Sequence, residues 1–214
     1  MRRPVLLLLP VLLLAACSSG AAKPVASGMP DLRTLAKDPS HDHVTKAVTY
    51  PQTPPMGGPH WKPGAFGAVG WLSCGVYTAP VPDVFAVHSE EHGAVWLTYR
   101  PGAPASDVAA LTALRQRNPA YVMVSPYPGQ PTAVAASTWG AQLSVASSGD
   151  PQLARFVDTY AGGGQGGEKG APCTPGDSPA EAEAALRRAG GGTVTATTPP
   201  ANAAARSTGV AAVS

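Results

Sequence analysis

The chain has 214 residues, a formal net charge of +2 and 13% charged residues. Arg2 and Arg3 lie at the very start, and without them thirteen basic residues face thirteen acidic ones. No Lys/Arg cluster is left to neutralise a phosphate backbone, so composition excludes nucleic acid as a partner.

Residues 1–17 read as a lipoprotein signal peptide. Val5 to Leu14 is apolar but too short to span a bilayer as a mature helix. It ends in Leu14-Ala15-Ala16-Cys17, which resembles a bacterial lipobox. The Cys17 thiol would then take a diacylglyceryl group, and two acyl chains suffice for stable anchoring. The expected location is extracytoplasmic, tethered to the membrane. Residues 18–40 are rich in Ala, Ser, Gly and Pro and read as a flexible tether, with one helical turn over Leu32 to Lys37 at most. Residues 175–214 read as a low-complexity, mostly disordered tail, although Ala180 to Ala189 has helix-forming composition. A single α+β domain is expected over 41–174.

Cys74 and Cys173 remain once Cys17 is lipidated. In an oxidising compartment a disulfide is the natural pairing. The alternative, a thiolate metal ligand or redox cysteine, lacks a Cys-x-x-Cys spacing.

Within the domain, Tyr50 to Trp61 carries Pro51, Pro54, Pro55, Pro59 and Gly57-Gly58, and is a loop. Trp71 to Thr78 reads as a first strand. Asp83 to His92 reads as a short helix or compact turn stopped by Gly93. Val95 to Tyr99 carries bulk on both faces, as a central strand does. Ser106 or Asp107 caps a helix with Val108, Leu111 and Leu114 on one stripe. Tyr121 to Ser125 is a strand, with Thr132 to Thr138 as its expected hairpin partner and Gln142 to Ala146 continuing the pairing. Asp150-Pro151 starts a last helix with Leu153, Phe156, Val157 and Tyr160 on its buried stripe. The order suggests a small mixed sheet with helices packed on it, thioredoxin-like, with a ferredoxin-like arrangement as the alternative.

All five histidines fall between positions 41 and 92. His88 and His92 are four apart and share one face of a helix, a spacing that suits a transition metal. Two ligands do not make a closed site. His60, in the Pro/Gly loop, is the expected third ligand, and Glu91 a fourth or a group that orients the others. His43, His41 and Met56 are further possibilities, Met56 favouring Cu(I). Copper or zinc is the expected ion. His88-Ser89-Glu90-Glu91-His92 also matches the inverted zinc-peptidase pattern formally. That pattern needs a sustained helix, and Gly93 ends this one; its distant acidic ligand would have to be Glu168, in a Gly-rich linker. No Gly-x-Ser-x-Gly elbow and no P-loop is present. An enzyme is therefore not the leading expectation. Trp61, Trp71, Trp96 and Trp139 read as core aromatics.

Several of these stretches together resemble the bacterial domain-of-unknown-function family 3105. They are Pro54-Pro55-Met56-Gly57-Gly58-Pro59-His60, Cys74-Gly75-Val76-Tyr77, Val87 to Val95, Tyr99-Arg100-Pro101, Ser125 to Pro128, and Trp139-Gly140. The resemblance implies an envelope-associated, often membrane-tethered domain with His60, His88, Glu91 and His92 in its signature. It carries no activity over. The family's loop usually has Thr-Ser where Met56-Gly57 stand. It usually has an apolar residue at the place of Glu90, so a carboxyl there is expected to fall short of deep burial. Three roles follow: a metal-handling domain, an envelope interaction module in which the His/Glu motif is structural, and a metal-assisted hydrolase with Glu91 as base.

Overall fold

β4 (Val95–Tyr99) is the strand on which the sheet is built. Val95, Leu97 and Tyr99 enter one apolar cluster while Trp96 enters another, so both faces are covered, as the sequence predicts. The coordinates are a computed structural model that describes residues 28–163, 166–168 and 170–190. The expected signal peptide with Cys17, the first part of the tether and the chain beyond 190 lie outside the described residues. None of the described helices is long and apolar enough to cross a membrane.

From β4, α2 (Ala105–Arg117) leads to β5 (Val122–Pro126), which lies parallel to β4 with Trp96 opposite Met123. The chain then passes over the end of β4. β6 (Val134–Thr138) pairs antiparallel with the other edge of β4, Thr98 opposite Ala135. The expected hairpin between 121–125 and 132–138 is therefore not formed. The crossing is held by the Tyr127 N–H on the Tyr99 carbonyl (2.8 Å) and the Arg100 N–H on the Ala133 carbonyl (3.1 Å). The Gln130 side-chain amide donates to the Thr132 and Ala133 carbonyls, 3.0 Å each. β7 (Ala141–Val145) forms the true hairpin with β6. Its turn is Trp139-Gly140, where φ is +75° and a side chain would be strained. The sheet order is β1-β7-β6-β4-β5, where β1 is Leu32–Thr34. The sheet is small and mixed with helices packed on it, as expected, in the order strand, helix, strand, strand, strand, helix from β4 to α3; the ferredoxin-like alternative, with a hairpin between its second and third strands, is not met.

α3 (Pro151–Tyr160) follows β7. Asp150 accepts the Gln152 N–H at 2.9 Å, Pro151 sits at the first turn, and Leu153, Phe156, Val157 and Tyr160 are buried. α2 begins one residue before the expected caps. Pro104 precedes it without a side-chain cap, and Asp107 instead accepts the Ser148 hydroxyl at 2.7 Å. α2 and α3 pack against one face of the sheet through Leu111, Leu153, Phe156 and Val157.

Two segments assigned by composition to the flanks belong to the fold. Leu32–Thr34 is a strand, β1, not a helical turn, and pairs antiparallel with β7. Pairing of this kind is a backbone property and leaves little trace in side-chain pattern. In the expected tail, α4 (Pro179–Arg188) carries a capping box between Ser178 and Glu181. Ala182, Ala185 and Leu186 bury it in the second cluster, beside α1 (Asp83–Glu91).

Trp71 to Thr78 is not a strand. Its N–H groups are taken one at a time, Leu72 by the Ser89 hydroxyl, Ser73 by the Asp177 carbonyl and Tyr77 by the Val124 carbonyl. Only single bridges form, Leu72 with Asp177 and Val76 with Val124. Cys74 and Cys173 are joined as a disulfide with their Cα atoms 5.4 Å apart, which ties this segment to the chain leading into α4.

Candidate metal centre

α1 is buried along nearly its whole length, Val84 to Glu91. It presents His88 and Glu91 one turn apart. Gly93 ends it at φ +94°, and its backbone lies so close to the glycine strap that a Cβ would stand 2.4 Å from Gly163 N. Against α1 lies a two-stranded parallel ribbon, β2 (His43–Val44) and β3 (His60–Trp61), with His43 opposite His60.

The loop before β3 is fastened to α1 and to the β6–β7 hairpin. The Gly57 N–H donates to Glu90 Oε2 at 2.9 Å, the Gly140 N–H to the Met56 carbonyl at 3.1 Å, and the Gln142 amide to the Pro54 carbonyl at 2.8 Å. Glu90 is wholly buried, contrary to the expectation, because this amide gives its carboxyl a partner. Its other oxygen has none. Burial raises its pKa well above the usual carboxylate range.

These elements bring four side chains together: His43, His60, His88 and Glu91, with one donor atom from each lying within 4.8 Å of the others. His88 Nδ1 donates to the Trp61 carbonyl at 2.8 Å and His60 Nδ1 to the Gly58 carbonyl at 2.9 Å. A carbonyl only accepts, so each Nδ1 carries a proton, and Nε2 is the nitrogen each ring can offer to an ion. Burial, with His60 and His92 nearby, pushes the His88 pKa down to about 3. Its ring is therefore neutral throughout the physiological range. Burial alone would raise the Glu91 pKa, but the close approach of His60 and the bond with His41 outweigh it and bring it down to about 2. Glu91 is an anion.

His60 Nε2 stands 2.9 Å from Glu91 Oε2, within ion-pair reach, yet off the line of a hydrogen bond. A buried nitrogen without a hydrogen-bond partner thus points among two further imidazoles and a carboxylate. That donor set fits a transition-metal ion: three imidazole nitrogens and one oxygen, two of the imidazoles oriented from behind by backbone carbonyls.

His92 is not in the group. It follows the last residue of α1, its ring lies 4.6 Å from Trp71, and its Nε2 pairs with Glu168 Oε2 at 3.0 Å. Burial lowers its pKa, against the pull of Glu168 and Glu91. Met56 is buried in the loop and engages the hairpin through its carbonyl. His41 stands behind the centre. Its Nδ1 meets Glu91 Oε1, and its Nε2 meets Asp38 Oδ2 at 3.0 Å. Asp38 also accepts the Trp139 indole N–H at 2.9 Å. The bonds to Glu91 and Asp38 raise the His41 pKa, and those from His41 and Trp139 lower that of Asp38. Sequence reasoning did not find Asp38; its three-residue spacing from His41 is the only signal available. Of the four tryptophans, Trp61, Trp96 and Trp139 are core residues and Trp71 is half-buried beside His88 and His92.

No curated protein and no solved structure matches the chain. A family model matches residues 41–175, which take in His41, His43, His60, His88 and Glu91. By that match, over more than half of its length, the chain belongs to the family described as Protein of unknown function (DUF3105).

Proposed function

We propose that this domain holds one divalent transition-metal ion between His43, His60, His88 and Glu91, and that it handles the ion rather than turning over a substrate with it. The observation that carries the reading is the pair of buried imidazoles, His60 and His88, each held at Nδ1 by a carbonyl, with His60 Nε2 2.9 Å from Glu91 Oε2. The donor group holds nitrogen and oxygen and no thiolate. That favours Zn(II) or Cu(II) over Cu(I) within the copper-or-zinc expectation. Glu91 would serve the centre as a ligand and contacts two imidazoles, and among the described residues no second carboxylate joins the donor group as a general base. The hydrolase reading loses its base on that ground. The lipobox-like Cys17 and the Cys74–Cys173 disulfide support placement outside the cytoplasm on a lipid anchor.

The same bonds support a structural reading, because His60, His88 and Glu90 also fasten the 50–61 loop to α1. Titration of the full chain with Zn(II), Cu(II) and Cu(I) separates the two. The metal reading expects one divalent ion per chain, lost in His88→Ala. No stoichiometric uptake, with His88→Ala merely less stable, overturns it in favour of the structural one.

A further inference from the structure

The four donors of the centre are unequally placed. His60, His88 and Glu91 are buried, at 0%, 1% and 4% exposure, and sit on α1 and the inner strand of the ribbon. His43 alone is exposed. It belongs to β2, two residues long, joined to β3 by the His60 N–H on the Asp42 carbonyl (3.0 Å) and the Lys62 N–H on the Val44 carbonyl (2.8 Å). The chain on either side, from His41 to Thr49, is exposed apart from Val44 and Val48, which are half-buried. Backbone carbonyls orient the His60 and His88 rings, and no such bond orients His43 among the described residues.

Bond lengths add a second argument. A tetrahedral ion with bonds near 2.0–2.1 Å holds its ligands about 3.4 Å apart. The donor atoms here spread over as much as 4.8 Å. Something must draw in when an ion binds, and the buried three are fixed by packing. The member free to travel is His43.

We propose that His43 is the exchange ligand of this centre: an ion enters and leaves where this imidazole swings aside, and passes to a partner offering an imidazole or thiolate at the vacated position. The inference rests on the metal reading above. The step is a ligand substitution without redox change. The bond from the ion to the His43 nitrogen breaks, and a bond to the incoming donor forms. A neutral imidazole brings its own lone pair, while a thiol yields its proton to water as it binds.

The test uses the full chain loaded with Co(II), whose visible spectrum reports its ligands, and follows release to a chromogenic chelator over a range of chelator concentrations. In the wild type the release rate should level off at high chelator, because departure of His43 limits it. His43→Ala should still take up one ion, release it about tenfold faster or more, and show no levelling off. Millimolar imidazole should slow that release by filling the gap. His43→Gln serves as a second variant to guard against a folding defect. Equal release rates and equal chelator dependence in wild type and variants overturn the inference. So does a folded His43→Ala that binds no ion, since His43 would then be indispensable rather than exchangeable. A wild-type chain that binds no Co(II) or Zn(II) overturns the metal reading itself.

Discussion

Replacing Glu90 with Gln should make the protein more stable at neutral and alkaline pH and leave it nearly unchanged near pH 4. The side chain is completely buried; one carboxyl oxygen accepts the Gly57 N–H at 2.9 Å and the other has no partner. Burial raises its pKa from the ordinary 4.5. The sign follows from linkage. Below pH 4.5 the group is neutral in both folded and unfolded chains. Above it the unfolded chain ionises while the folded chain holds its proton, so stability falls as pH rises until the folded group also ionises. The slope in that window is about 1.4 kcal/mol per pH unit. For a domain of this size that is about 3–5 °C in Tm per unit. Gln keeps the oxygen that accepts from Gly57 and cannot ionise. Thermal unfolding of metal-free wild type and Glu90→Gln from pH 4 to 9 should give curves that diverge upward from pH 4.5. Parallel curves would show that Glu90 is ionised in the folded protein and that water or a cation compensates it. The burial argument would then be wrong.

Two further predictions follow from the same geometry. Cys74→Ser/Cys173→Ser opens a loop of 99 residues, which on the chain-entropy model removes about 4–5 kcal/mol; scanning calorimetry should show a fall of about 10 °C or more, and an unchanged Tm would mean that the unfolded chain is already held compact there. Metal uptake should release few protons, because His88, near 3, and Glu91, near 2, are already deprotonated above pH 5. Calorimetric titration with Zn(II) at pH 6.5 in buffers of different ionisation enthalpy should find fewer than three protons released per ion, and three or more would mean that His88 starts protonated.

Local chemistry made much of this fold legible. The α3 stripe, its Asp150 cap and the two-sided burial of β4 depend on residues a few positions apart, and all three are observed. Legibility failed where long-range backbone pairing decides. β6 lies beside β4 rather than its neighbour in sequence, β5, because the chain crosses between Tyr127 and Ala133. β1 is held to β7 by main-chain bonds that its mostly exposed side chains do not announce. The Trp71–Thr78 stretch has strand-like composition, but α1 and the Asp177 segment draw off its amides singly.

The centre shows the same division at finer grain. Helical spacing singles out His88 and His92, but His92 falls where α1 stops. Its ring still meets that of His88 edge to face, centroids 4.9 Å apart, but its Nε2 is turned to Glu168 and not to the donor group. One residue earlier, Glu91 does join the group. The fourth donor arrives by another route: parallel pairing of β2 with β3 sets His43 directly across from His60. No spacing rule encodes a parallel pair joined by a 15-residue connection, since its register is set by the loop's own packing on α1 and the β6–β7 hairpin. What does survive is coarser. Every histidine of the chain falls between 41 and 92, and three of the five meet with Glu91 in one place while a fourth, His41, holds that carboxylate from behind. For a site assembled from a helix and two short strands, the clustering of ligand-type residues along the chain is better evidence than the distance between any two of them.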